Sequence, residues 1–145
     1  MNFRPYAEET DYPILQSWWS GHHSLDVPRE ILPRGWVAVA SGVDVAASFL
    51  YMDPKFIGVI EWTTTNPECA FSADLVRAVR GLYEHLEATA KEAGCQSVIS
   101  FVNPNSWERR TMAKMGYLTS GDAIPHLMFA KSLKFKHPGG FIPCP

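Results

Sequence analysis

Glu61 stands in the middle of VIEWTTT, a run of otherwise apolar or hydroxylated residues. A carboxylate in such a run needs a reason. Either alternation along a strand turns it to solvent, or it is held half-buried. In the second case desolvation raises its pKa toward the range of a general base. His22 and His23 are adjacent and lie near Asp26. An imidazole there can accept a proton or touch a substrate, or the pair lies on an exposed loop. Two histidines adjacent in sequence hold one ion poorly, so no metal site is expected. His126 opens a late strand and is a weaker candidate of the same kind. Cys69 precedes a helix start, a place that can lower a thiol pKa. Cys69, Cys95 and Cys144 are odd in number, widely spaced and without a CxxC pair, so all three read as ordinary thiols.

These side chains need a scaffold, and the pattern supplies one. Residues 3–6 read as a short strand. Ile14, Leu15, Trp18 and Trp19 recur at helical spacing, giving an amphipathic helix over 11–20 that Gly21 ends. Three strands follow, at 36–40, 45–52 and 56–65. Ser72 is a good N-cap for the longest helix, 73–93, whose apolar face carries Leu75, Val79, Leu82, Tyr83, Leu86 and Ala90. A strand over 96–102 is apolar on both faces, as a central strand should be. A short helix at 106–115, stopped by Gly116, and two strands at 117–120 and 125–131 complete the order β-α-β-β-β-α-β-α-β-β. The helix between the strands at 56–65 and 97–102 makes those two a parallel pair inside a mostly antiparallel sheet. The fold class is therefore α+β, with helices on both faces. One domain spans 1–133, and 134–145 form an irregular tail rich in proline and glycine.

Composition narrows the function classes. The 145 residues are 46% hydrophobic and 19% charged, which excludes disorder and coiled coil. The longest nearly apolar run, Val45 to Met52, is far short of the ~20 residues of a membrane helix. No basic, apolar leader opens the chain, so a cytoplasmic location is expected. The net charge of −2 is uneven. From Arg109 onward there are six basic residues and one acidic; residues 1–108 hold seven basic and fourteen acidic. An acidic bulk argues against a partner bound through many phosphates, so nucleic acid is not expected.

The element order resembles the GCN5-related N-acetyltransferase fold, abbreviated GNAT. The most specific local match is NSWERRTMAKMGY, residues 105–117, where Asn105 opens a short helix and Gly116-Tyr117 closes it. The preceding strand QSVISFV matches too, and the layout covers about residues 3–131. The resemblance implies acyl transfer from acetyl-CoA, as cosubstrate, to an amine acceptor. It places the pantetheine in a V between the strands at 56–65 and 97–102, with the pyrophosphate at the N-terminus of the long helix. Cofactor contacts are then expected from Trp62, Thr63, Thr64, Ser72, Ala73, Arg77 and Asn105. Glu61 falls where the family often places a base beside the thioester, and His22 and His23 fall on the acceptor side. Of the consecutive Trp18 and Trp19, one is expected to point away from the helix's buried face, lining the acceptor pocket or a homodimer contact.

The chain departs from the family pattern in two places. The phosphate loop carries no glycine between Gly58 and Gly81 and no preceding Arg, and Asp74 sits in the first helical turn, where a carboxylate opposes an anion. The position where the family often carries a Tyr acid is Met112, which has no proton to give. Tyr117 is the nearby phenol, with core packing as its other reading. Two alternatives to an acyltransferase stay open: a silent binding module on the same fold, and a transferase that modifies a nucleic-acid base.

Overall fold

The computed structural model describes residues 1–22, 27–53, 57–103 and 106–119, and the backbone of 127–132. In chain order these form β1 (Asn2–Pro5), α1 (Glu8–Gly21), a single 3-10 turn (Arg29–Ile31), β2 (Arg34–Ala40), β3 (Val43–Met52) and β4 (Ile57–Thr65). Then come α2 (Ala73–Glu92), β5 (Ser97–Val102), α3 (Glu108–Lys114), β6 (Leu118–Thr119) and β7 (Leu127–Ser132). The seven strands make one sheet in the order β1-β2-β3-β4-β5-β7-β6. All neighbours are antiparallel except β4 and β5, which run parallel, as the crossover through α2 requires. The tail at 134–145 lies outside the described residues.

Alternation along the strands builds two cores. Ala46, Leu50, Ile60, Val98 and Val102 turn to the α2 face, where they meet Leu75, Val79, Leu82, Tyr83 and Leu86, with Met112 and Tyr117 at the edge. Val37, Ala47 and Phe49 turn to the other face and meet Leu15, Trp18 and Trp19 of α1. Phe49 lies so close over β2 that a Cβ on Gly35 would come within 2.5 Å of its ring. Gly35 is thus glycine for lack of room.

Ser72 caps α2 as expected, its hydroxyl accepting from the Leu75 N–H at 3.2 Å. Two sequence expectations about α1 are corrected. The helix begins at Glu8 rather than at residue 11, because Asp11 reaches back to accept from the Ala7 N–H at 2.7 Å. Neither Trp18 nor Trp19 is exposed; they are 4% and 3% accessible. Trp19 packs on Phe49, and Trp18 belongs to the same core cluster, with Leu15, Val27 and Val37. The buried sector of α1 is wider than a helix lying on a flat sheet would have.

Asp11 also pins α1 to β1, since both its oxygens accept from Arg4, at 2.7 and 3.0 Å. Arg4 reaches Asp44 as well, at 2.6 Å. Burial pushes the Asp11 carboxyl upward, but the hydrogen bonds from Arg4 and Ala7 outweigh it and hold the net pKa below the usual carboxylate range. A depressed pKa contributes stability above the unfolded value near ~3.9, lost as pH falls through the folded value. Asp11→Ala should therefore cost about 2 kcal/mol in urea unfolding at pH 7, below the full effect of a broken buried pair because Arg4 is partly exposed and keeps Asp44. The gap between variant and wild type should close as pH drops below about 4. A gap that stays constant with pH would show that the charge is not the cause.

Candidate active site

β4 and β5 are paired only from Ile57↔Ser97 to Ile60↔Ser100. Both strands continue, β4 to Thr65 and β5 to Val102, with no further pairing between them. They part as a V that opens at their C-terminal ends. The cause lies on the other edge of β4. Against β3, Phe49 is opposite Glu61 and Ala47 is opposite Thr64, so β4 spends three steps where β3 spends two. This is a β-bulge at Trp62 and Thr63. Trp62 takes φ +55°, a left-handed backbone that an aromatic residue rarely adopts. The surroundings hold it there: its indole N–H donates to the Tyr51 hydroxyl at 2.9 Å, and Tyr51 donates to the Ile31 carbonyl at 2.6 Å.

The bulge sorts the side chains. Glu61 shares the α1 face with its partner Phe49 and is half-buried. Thr63 turns to the α2 face and joins a row of hydroxyls. Its Oγ1 lies 2.8 Å from Ser48 Oγ and 3.2 Å from the Tyr83 hydroxyl, which lies 3.1 Å from Ser100 Oγ. This row crosses from β3 to β5 at the floor of the V, just where strand pairing stops. Burial drives the Tyr83 phenol far up, so it stays protonated. Thr64 is buried, and its hydroxyl has no partner among the described residues; the Ser106 hydroxyl, on the β5–α3 connection, lies within reach of the Glu108 carboxylate.

His22 reaches the end of β4 from the C-terminus of α1. Its Nε2 is 2.8 Å from the Thr65 carbonyl and 3.1 Å from Thr65 Oγ1. A carbonyl can only accept, so Nε2 carries a proton and donates to it. Glu108 is the first residue of α3. It is half-buried and within electrostatic reach of both His22 and Tyr83. Burial pushes its carboxyl above the ordinary value.

Of the residues expected from sequence, the structure brings together Glu61, Trp62, Thr63, Thr64 and His22. Tyr117 is set apart: it is buried, and its hydroxyl donates to Glu87 of α2 at 2.8 Å rather than facing the cleft. Ser72, Ala73 and Arg77 stand at the start of α2, where Arg77 pairs with Asp74. In the loop before it, the Glu68 and Cys69 N–H groups turn back on Asn66, at 2.9 and 3.0 Å. Phe71 is largely exposed and meets Trp107 edge-on at 5.5 Å, linking the two lips of the V. His23, Asn105, Asp26 and His126 lie outside the described residues. A groove of about 320 Å³, walled by Ile14, Trp18, Val43, Asp44 and Glu68, lies beside the cleft and includes none of its polar groups.

Sequence reasoning missed Tyr83 and Glu108. Tyr83 was visible only as one of the apolar positions of α2. For Glu108 a signal existed: Glu108, Thr111 and Met112 share the i, i+3, i+4 face of α3 that turns inward, and Thr111 and Met112 are buried. Among the described residues there is no cluster of three or more metal-ligating side chains, and no helix long and apolar enough to cross a membrane.

No protein-family model matches the chain, and no curated protein sequence matches it. Solved structures do. A Mycobacterium tuberculosis protein, Rv2747, crystallised with CoA, is similar over 92% of this chain and 99% of its own, at TM-score 0.70 and 14% identity. The aminoglycoside 6'-N-acetyltransferase of Enterococcus faecium is similar over 100% of this chain and 99% of its own, at TM-score 0.70 and 12% identity. The Salmonella typhimurium protein yncA, solved with acetyl-CoA, is similar over 94% of this chain and 95% of its own, at TM-score 0.68 and 12% identity. With its element order, its parallel central pair and the V at the β4 bulge, the chain has the GCN5-related N-acetyltransferase fold, in a divergent sequence.

Proposed function

We propose that the chain is an N-acyltransferase that moves an acetyl or other short acyl group from acyl-CoA to an amine by direct attack. The observation that carries this reading is the unpaired edge of β4. Among the described residues, no strand pairs with the backbone of residues 61–65 on its β5 side beyond Ile60. A pantetheine arm is an extended chain with two amides, and such a chain fits an open strand edge as an added strand does. The buried Thr64 hydroxyl on that stretch, without a partner among the described residues, suits the same polar chain.

Acyl-CoA supplies the activated carbonyl. The residues then divide the work. The displaced backbone at Trp62 offers N–H groups for the charge that develops on the carbonyl oxygen. Glu61 takes the proton the amine must lose, directly or through water, with His22 Nδ1 on the acceptor side. Holding amine and carbonyl together supplies much of the rate.

The fit is poorer at the phosphate end. Two loop N–H groups are spent on Asn66, and Arg77 is engaged by Asp74. Calorimetric titration with CoA and acetyl-CoA should give micromolar binding. Asp74→Asn should strengthen it several-fold at low salt, by removing a like charge and releasing Arg77, a helix-end charge being worth roughly 0.3–1 kcal/mol. Arg77→Ala should weaken it. No binding at millimolar CoA would overturn the reading and favour a silent module on this fold.

A further inference from the structure

We infer that the acceptor is a slender aliphatic amine with a second ammonium group, which it lays in the groove beside the cleft. The inference rests on the acyltransferase reading and names the acceptor class that reading leaves open. The groove, of about 320 Å³, lies between α1, the start of β3 and the chain that follows β4. Ile14, Trp18, Val43 and Pro67 give it apolar walls, and Asp44 and Glu68 give it two carboxylates. No basic residue lines it among the described residues. Asp44 shares the one guanidinium of Arg4 with Asp11, so those three groups together keep a negative charge. Glu68 is exposed and pairs with no cation among the described residues. The groove is therefore complementary to a cation, and the acidic excess of residues 1–108 draws cations toward it.

The other polar side chains of the lining are already engaged. The Ser17 hydroxyl donates to the Ile14 carbonyl at 2.6 Å. The Asn66 amide donates to the Asp44 carbonyl at 3.2 Å, and its oxygen accepts from the Glu68 N–H at 2.9 Å. A chain rich in amides or hydroxyls finds only the two carboxylates to bond, whereas methylene groups ending in a cation suit these walls. Contacts tie the groove to the acceptor side of the cleft. Ile14, Trp18 and His22 follow one another at i, i+4 and i+8 along α1. Pro67, a wall of the groove, lies so close to Gly21 that a Cβ there would come at 2.9 Å from its ring. The next residue, His22, holds the Thr65 carbonyl at 2.8 Å, and Thr65 runs into Asn66. Glycine at 21 thus leaves a low saddle over which a chain passes from His22 into the groove. Glu61 precedes Thr65 by four residues of β4, about 12 Å at ~3.3 Å per step less the bulge. The second ammonium lies at least that far from the reacting nitrogen, roughly ten bonds along an extended chain. The reaction stays amine plus thioester giving amide plus thiol, and the far end keeps its charge.

Two measurements test this, with 1,10-diaminodecane as the probe and 10-amino-1-decanol, whose hydroxyl replaces the far ammonium, as its match. The first needs no turnover. In calorimetry at low salt the diamine should bind about fivefold tighter than the amino alcohol or better, and about 0.5 M salt should remove the difference. The second compares kcat/KM for the two acceptors with acetyl-CoA. Their ratio should favour the diamine about tenfold. It should fall about fivefold in Glu68→Gln and recover in part in Glu68→Asp. It should vanish in Ser17→Arg, which brings a cation to the groove from an exposed position of α1. For 1,4-diaminobutane against 4-amino-1-butanol, too short to reach, the ratio should stay near the roughly twofold that two equivalent amines give. Equal binding and equal kcat/KM of the ten-carbon pair, or a ratio that neither variant moves, overturns the inference and leaves the acyltransferase reading intact. So does turnover of neither acceptor by protein that binds acetyl-CoA. A protein that binds the diamine and not CoA overturns that reading instead, and with it the acceptor role of the groove.

Discussion

Glu61→Gln should reduce kcat about 10²- to 10⁴-fold, the usual contribution of a positioned base, and leave the Kd for CoA within about threefold. The amide keeps the size and the hydrogen-bonding reach of the carboxylate and removes only its ability to take a proton. Its neighbour across the ladder, Phe49, is apolar and fully buried. Steady-state kinetics beside calorimetry separate the two effects. Raising pH should restore part of the variant's rate, since a larger share of the amine is then already deprotonated. Loss of CoA binding in step with kcat would assign Glu61 to the cofactor, and an unchanged kcat would remove it from the chemistry.

Phe49→Ala should destabilise the protein by about 3–5 kcal/mol, the range for truncating a large buried aromatic. Phe49 is 0% accessible. Its ring meets Tyr6 at 5.0 Å and Trp19 at 6.3 Å, and it covers Gly35. Few neighbours can collapse into the space, because one wall is the backbone of β2. In a chain of this length that is a fall of roughly 10 °C or more in Tm. The midpoint in urea should move without a change in slope. Phe101→Ala, a truncation of the same size at an exposed position of β5, should cost less than about 0.5 kcal/mol. Similar losses at both positions would mean that the core is not organised around Phe49.

The two predictions concern facing residues on adjacent strands, and they differ in how readily the sequence discloses them. Phe49 lies in an apolar run whose burial follows from composition. The strands, the α2 crossover and the parallel pair were legible because periodicity and turn residues are local signals. The site was legible only up to Ile60. Strict alternation would put Thr63 on the same face as Glu61, yet Thr63 bonds Ser48 and Tyr83 on the opposite face. The extra residue at Trp62 reverses the parity, and nothing in VIEWTTT announces it, since left-handed backbone is usually betrayed by glycine or asparagine. Trp18 and Trp19 failed for a related reason. Helical periodicity gives one narrow buried stripe, and here the core on the α1 face takes in both rings together with Val27 from the chain beyond the helix. Glu108 was hidden by its own plausibility, because an acidic residue in a first helical turn is ordinary.

Counted in codons, the bulge is a single one. Deleting Trp62 would leave Phe49 opposite Glu61 and Ala47 opposite Thr64, with Ser48 now facing Thr63 alone. Every other side chain of β4 would keep the layer it occupies. The register of the sheet thus closes without the extra residue, and what the deletion removes is the Trp62 side chain, which packs against the α1-face core and donates to Tyr51. The kink is therefore one in-frame codon, and the deletion variant is a natural starting protein for asking what the kink alone confers.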